Sequence, residues 1–277
     1  MSEVVTTPSL KVTIPEPPRV PGLEVIDIQK RFGGVEALKG VSLWAVPGEV
    51  TALLGENGAG KSTVVKCLSG VFPPDSGEVR VAGEEVRFTS PLGAREAGVE
   101  TVYQELGLVE YFDVTDNIFL GREMHRPWWQ GRALKKKEMR KKGAGILADF
   151  GIRNLDPSLE TQFLSGGQRQ GVSIARATAW GATAIIMDEP TAALGVRESM
   201  RVMESVDRLR AANMTVLLVS HNIPQVLEIA DRVWILRAGR LVAHSLASET
   251  NHAEVVSHIT GMYSETSLRD NGSLAQG

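Results

Sequence analysis

Gly55-Glu56-Asn57-Gly58-Ala59-Gly60-Lys61-Ser62-Thr63 is the stretch on which the reading of this chain turns. It matches the phosphate-loop pattern in full. Its glycines let the backbone curl so that successive N–H groups point inward at phosphate oxygens. A helix beginning near Lys61 adds its positive end to the same spot. The Lys61 ammonium suits the outer phosphates, and the Ser62 hydroxyl is a hard oxygen ligand for Mg2+. Glu56, Asn57, Ala59 and Thr63 complete the phosphate-contacting run.

The flanks agree with this reading. Val50 to Leu54, just before the loop, is a continuous apolar run that stops at glycine, as a buried central strand does. Ala184-Ile185-Ile186-Met187 and Thr215-Val216-Leu217-Leu218-Val219 are two further runs of this kind, and Val196 to Ala212 carries the clearest helical pattern between them. Strand, helix, strand repeated with apolar strands predicts a mostly parallel α/β sheet covered on both faces. Ahead of the loop, Leu23 to Ile28 alternates at period two and Ala37 to Val46 reads as a second strand before the turn Pro47-Gly48-Glu49.

Ligands bind at the carboxyl ends of strands in such sheets, and Asp188-Glu189 stands at that end of the Ala184 run. Asp188 is the expected Mg2+ anchor, and Glu189 the group that orients or deprotonates an attacking water.

Residues from about 91 to 162 read as a helical insert, with a basic run at Lys135, Lys136, Lys137, Arg140, Lys141 and Lys142 just after Trp128 and Trp129. A solvated helix face accounts for such a run; a nucleic-acid or lipid contact is the alternative. Residues 1–22 are rich in proline and are expected to form a flexible extension, residues 23–260 one folded domain, and 261–277 a flexible tail.

The whole chain has 277 residues, 43% hydrophobic and 23% charged, with a formal net charge of −3. That charge argues against nucleic acid as the main partner. The single cysteine, Cys67, leaves no internal disulfide to form and reads as a small buried hydrophobe on the helix after the phosphate loop. No apolar run reaches the roughly 18 residues needed to span a bilayer, and the N-terminus lacks a secretory-signal pattern. Any work at a membrane would need a partner to hold the chain there.

Between the loop and the acidic pair lies Leu164-Ser165-Gly166-Gly167-Gln168-Arg169-Gln170, ending about 20 residues before Asp188. Ser165 with two glycines at a helix start makes a second anion-binding nest. Together with the other two motifs it resembles the signature of the ABC ATPases over residues 23 to about 260. The resemblance implies a P-loop NTPase cassette: a mostly parallel core, an antiparallel β subdomain and an inserted helical subdomain. It implies that Ser165, Gly166, Gly167 and Gln168 clamp ATP held by the other copy of a homodimer. It also implies that Phe32 stacks on adenine, that Gln104 touches Mg2+ and links core to insert, and that His221 contacts the γ-phosphate. One position departs from the family: Gly195 stands after Thr191-Ala192-Ala193-Leu194 where aspartate is common, which puts that loop's part in cross-dimer communication in question.

Tyr103-Gln104-Glu105-Leu106, Asn117 to Glu123 and Thr191 to Gly195 resemble the ATPases of bacterial monosaccharide importers. The expected partners are therefore a membrane permease and, through it, a periplasmic or extracellular sugar-binding protein, with the chain on the cytoplasmic face of the membrane. An importer ATPase for another small solute, such as branched-chain amino acids, would share the core motifs. A soluble cassette would normally carry tandem cassettes or a long coiled coil, and neither is present.

Overall fold

The computed structural model describes residues 12–152, 155–192 and 194–262. Two sheets organise it. Four antiparallel strands, β1 (Leu23–Phe32), β2 (Val35–Ala45), β4 (Ser76–Val81) and β5 (Glu84–Val86), stand in the order β2-β1-β4-β5. The second sheet has the order β10-β9-β3-β8-β7-β6, from β3 (Val50–Leu54), β6 (Val99–Val102), β7 (Ala184–Asp188), β8 (Thr215–Ser220), β9 (Arg232–Arg237) and β10 (Arg240–Leu246). Its pairings are parallel except the β9–β10 hairpin at one edge. The fold is thus the α/β cassette architecture expected, with its antiparallel subdomain.

Every residue of β3 is buried, which explains why its sequence is apolar throughout instead of alternating. One face meets the antiparallel sheet and α1 (Lys61–Leu68) through Leu23, Val25, Leu43, Leu53, Val64 and Leu68. The other is covered by α6 (Val196–Ala211), α7 (Ile223–Ile229) and α8 (His252–Thr260), through Val202, Val206, Val226 and Val255. Trp44 and Trp234 join the two sheets edge to face at 5.7 Å, and the Trp234 indole donates to the Trp44 carbonyl at 3.1 Å. Cys67 is buried in this layer, and burial pushes its thiol up to about 12, in keeping with an inert packing role.

The helical region gathers α3 (Val114–Phe119) and α4 (Lys136–Asp149) against α5 (Gly166–Thr178). Val114, Phe119, Met139, Leu147, Val172 and Ala175 form its own small core. Its edges differ from the 91–162 stretch read in the sequence. The first elements of that stretch, α2 (Pro91–Glu96) and β6, belong to the sheet layer, because Val99 to Val102 pair in parallel with Ala184 to Met187. The helical core draws instead on α5, beyond residue 162.

The proline-rich segment is partly held. The Trp44 indole donates to the Pro15 carbonyl at 2.9 Å, Arg19 reaches Glu49, and Gly22 N–H bonds the Ala45 carbonyl. Residues 1–11 and 263–277, where flexible ends are expected, lie outside the described residues.

Candidate nucleotide site

The loop between β3 and α1 owes its shape to two glycines. A Cβ at Gly60, whose φ is 109°, would stand 2.8 Å from the Ala37 carbonyl oxygen. At Gly55 it would stand 2.3 Å from the Leu236 oxygen. Any side chain at either position would push the loop off the strands that support it. The turn Ala238-Gly239 between β9 and β10 braces the same loop, with Gly239 N–H donating to the Ala59 carbonyl at 2.9 Å. The resulting cavity holds about 340 Å3 and is lined by Glu56, Asn57, Gly58, Gly60, Lys61, Ser62 and Thr63. Gln104, Asp188 and Glu189 close its far wall, and Val35 and Lys39 line it from β2.

Lys61 is only 7% exposed, and its ammonium donates to the carbonyls of Gly55 at 2.6 Å and Glu56 at 3.0 Å. Burial lowers its pKa while Glu189 and Asp188 pull it back up. Asp188 shifts the opposite way: burial and the neighbouring Glu189 raise its carboxyl, against Lys61 and Lys66. No hydrogen bond holds the Asp188 carboxylate among the described residues, so the cavity contains an acid whose charge calls for a cation. Ser62, Gln104 and Asp188 supply hydroxyl, amide and carboxylate oxygens on that one cavity, and hard donors of this kind suit Mg2+.

Glu189 sits in the left-handed region at φ 52°, uncommon for a residue with a side chain, and its N–H is tied to the Val219 carbonyl at 2.8 Å. This conformation turns the carboxylate toward the end of β8. There its Oε1 lies 2.8 Å from His221 Nδ1, and Ser220 Oγ donates to Oε2 at 3.4 Å. His221 is absent from the cavity lining; among the described residues its contact is with Glu189. Ser220 went unnoticed in the sequence because a serine at a strand end has no motif to mark it. Lys39, Ala238 and Gly239 also went unnoticed, since only the pairing of β2, β9 and β10 brings them to the loop.

The other sequence candidates lie apart from this cavity. Phe32 pairs in register with the lining residue Val35, but its ring, 47% exposed, packs edge to face on Phe72 at 5.3 Å. Ser165 caps α5 with a reciprocal box: Gln168 N–H donates to Ser165 Oγ at 3.3 Å, and Ser165 N–H to Gln168 Oε1 at 2.9 Å. Gly166 and Gly167 approach Leu194 and Glu198 so closely that a Cβ would come within 3.0 and 2.8 Å of them. The signature thus stands beside the start of α6, outside the phosphate cavity.

The family pattern described as ABC transporter matches residues 38–192. The fructose import ATP-binding protein FrcA of Rhizobium meliloti is 44% identical over 87% of this chain and 94% of its own length. The xylose/arabinose import ATP-binding protein XylG of Sulfolobus acidocaldarius is 44% identical over 86% and 93%. A ribose import ATP-binding protein of Rubrobacter xylanophilus is 41% identical, and there the chain spans 46% of the relative's length. Among solved structures, a nucleotide-free ATP-binding cassette from an ABC transporter superposes with a TM-score of 0.75 at 25% identity, covering 90% of this chain and 98% of that one. A dimeric cassette in a post-hydrolysis state, bound to ADP and Pi, gives 0.68 at 25% identity, over 81% and 98%. With a phosphate loop, an acidic strand end and a capped signature on one fold, the chain belongs to the ABC transporter family as one of its ATPase cassettes.

Proposed function

We propose that this cassette energises the import of a monosaccharide, closing as a homodimer on ATP and driving a membrane permease fed by a sugar-binding protein. The observation that carries the sugar assignment is near full-length similarity to fructose and xylose/arabinose import ATP-binding proteins, each 44% identical.

The chemistry follows from the cavity. The loop N–H groups from Gly55 to Thr63 and the Lys61 ammonium hold the outer phosphates, with Lys61 leaving its two carbonyl partners as ATP enters. Glu189 accepts the proton of a water aimed at the γ-phosphate, and His221 and Ser220 fix the carboxylate for that task. Ser62, Gln104 and Asp188 would hold Mg2+, which supplies charge neutralisation for the phosphates. Phe32, which pairs in register with the lining residue Val35, is offered to adenine. Ser165, Gly166, Gly167 and Gln168 serve the ATP of the opposite copy.

No described helix is long and apolar enough to cross a membrane. On the proposed reading the cassette meets the permease through its surface, on the cytoplasmic face. The segment between Gln104 and Asn117 suits this role. Tyr111 and Phe112 are exposed on it, while buried Asn117 holds its backbone through Val109 N–H and the Val109 and Phe112 carbonyls. The test is reconstitution with the permease in vesicles. A sugar-loaded binding protein should stimulate ATP hydrolysis, and stimulation by an amino-acid-loaded binding protein with none by fructose, xylose or ribose would overturn the sugar assignment.

A further inference from the structure

The most basic part of this acidic chain is a hairpin and helix start remote from the phosphate motifs in sequence. Between residues 122 and 142 there are nine Lys and Arg against two acids, in a chain whose net charge is −3. At its centre a single 3-10 turn, Trp128–Gln130, presents Trp128 and Trp129 to solvent at 79% and 68% exposure. Their rings stand edge to face at 6.1 Å, packed on one another rather than into the fold.

The tip is shaped rather than loose. Arg126 N–H donates to the Ala133 carbonyl and Lys135 N–H to the Met124 carbonyl, each at 2.8 Å, on either side of a bridge between His125 and Leu134. Gly131, at φ 76°, closes the turn through its N–H to the Trp128 carbonyl at 3.1 Å. Met139 then roots α4 in the helical core. Some of the cations are used within the protein: Lys136 pairs with Asp116, Arg140 with Asp113, Lys135 with Glu138, and Lys142 lies over Trp180. Arg126 and Arg132, which flank the tryptophans, and Lys137 and Lys141, one turn apart on α4, are exposed and meet no carboxylate at ion-pair distance among the described residues.

From these observations we infer that the Trp128–Trp129 hairpin is a lipid-contacting element, seating its indoles in the headgroup layer of an anionic bilayer while Arg126 and Arg132 meet the phosphates. Two physical facts select lipid over a protein partner. Indole rings favour the membrane–water interface, where an apolar body and one N–H donor are both satisfied. A cluster of unpaired cations beside them gains energy from a diffuse sheet of negative charge without needing a matched pocket. Anchoring a peripheral protein takes two weak signals acting together, and this hairpin carries both. The contact concerns the isolated chain's own surface, so it stands or falls independently of which solute is carried.

The experiment is co-sedimentation of the purified full chain with vesicles of 30% phosphatidylglycerol and 70% phosphatidylcholine, and with pure phosphatidylcholine. Binding should favour the anionic vesicles and weaken with added salt. The double variant Trp128→Ser, Trp129→Ser should lose affinity on the order of tenfold. Arg126→Gln and Arg132→Gln should each lose about fivefold. All should keep the wild-type ATPase rate and melting temperature, which confirms folding. Equal binding to both vesicle types, or variants that bind like the wild type, would overturn the proposal. So would variants that bind vesicles normally but lose the detergent-solubilised permease, which would assign the hairpin to a protein contact.

Discussion

The loop Gly55–Thr63 and the loop Ser165–Gln168 are both glycine-rich helix starts, yet they end up in different surroundings. The first folds into a cavity that its own chain completes: Gln104 arrives from beyond β6 and Asp188-Glu189 from the end of β7, and all three face it. The second is finished as a helix cap, the Ser165 hydroxyl accepting from Gln168 N–H and the Gln168 side-chain oxygen from Ser165 N–H, and it stands outside that cavity. The first turn of a helix still has N–H groups without acceptors, so this end is left open to an anion from outside. On the proposed reading, one copy carries a phosphate pocket and a separate clamp for the ATP of the other copy. A homodimer placing each clamp over the other copy's pocket uses every part twice.

Several experiments can break or sharpen that contrast. Glu189→Gln should have the largest effect. It keeps the shape of the Glu189–His221 pair but removes the proton acceptor, so turnover should fall by about 10^3 while ATP still binds. Gel filtration with ATP should then show a lasting dimer with two nucleotides trapped, and rapid product formation would refute the assigned role. Lys61→Ala removes the buried cation from the complete pocket and should cost about 10^2 in kcat/KM, read from steady-state rates at several ATP concentrations.

Ser165→Ala sharpens the comparison because it touches only the open clamp. Losing the cap should cost about 1 kcal/mol of stability. Nucleotide binding by the dilute monomer, followed by a fluorescent ATP analogue, should stay the same while turnover drops about tenfold. Equal losses in both assays would mean that the clamp belongs to its own chain's pocket. The smallest effect should come from Gly195→Asp. Gly195 already caps α6 with an extended backbone, and the obstacle to a Cβ there is the flexible end of Glu198 at 2.6 Å. A better cap should raise stability by only a few tenths of a kcal/mol. A steeper dependence of turnover on ATP in this variant would reveal that glycine loosens communication between the sites.

Periodicity and local chemistry made much of this legible. Val50 to Leu54, Ala184 to Met187 and Thr215 to Val219 could be read as buried strands because both their faces are covered, which leaves an unbroken apolar run. The phosphate loop and Asp188-Glu189 were readable because each is a run of residues adjacent in sequence. β6 was harder, since a four-residue strand holding Glu100 and Thr101 carries little apolar signal and exists by pairing with β7. The Ala238-Gly239 brace had no signal at all, as its role comes from a hairpin folding back onto the loop.

The sequence by itself thus determined the α/β class, the order of its motifs and the residue types of the nucleotide chemistry, because each rests on neighbours along the chain. Only the tertiary structure decided which of those residues share a cavity. It set Glu189 in a left-handed turn that brings its carboxylate to His221 and Ser220, and it kept Ser165 outside the pocket. The reason is one of range. Caps, loops and strand patterns arise within a few residues, whereas Glu189 and His221 meet only because β7 and β8 pair in one register, which the packed core on both sides of the sheet enforces.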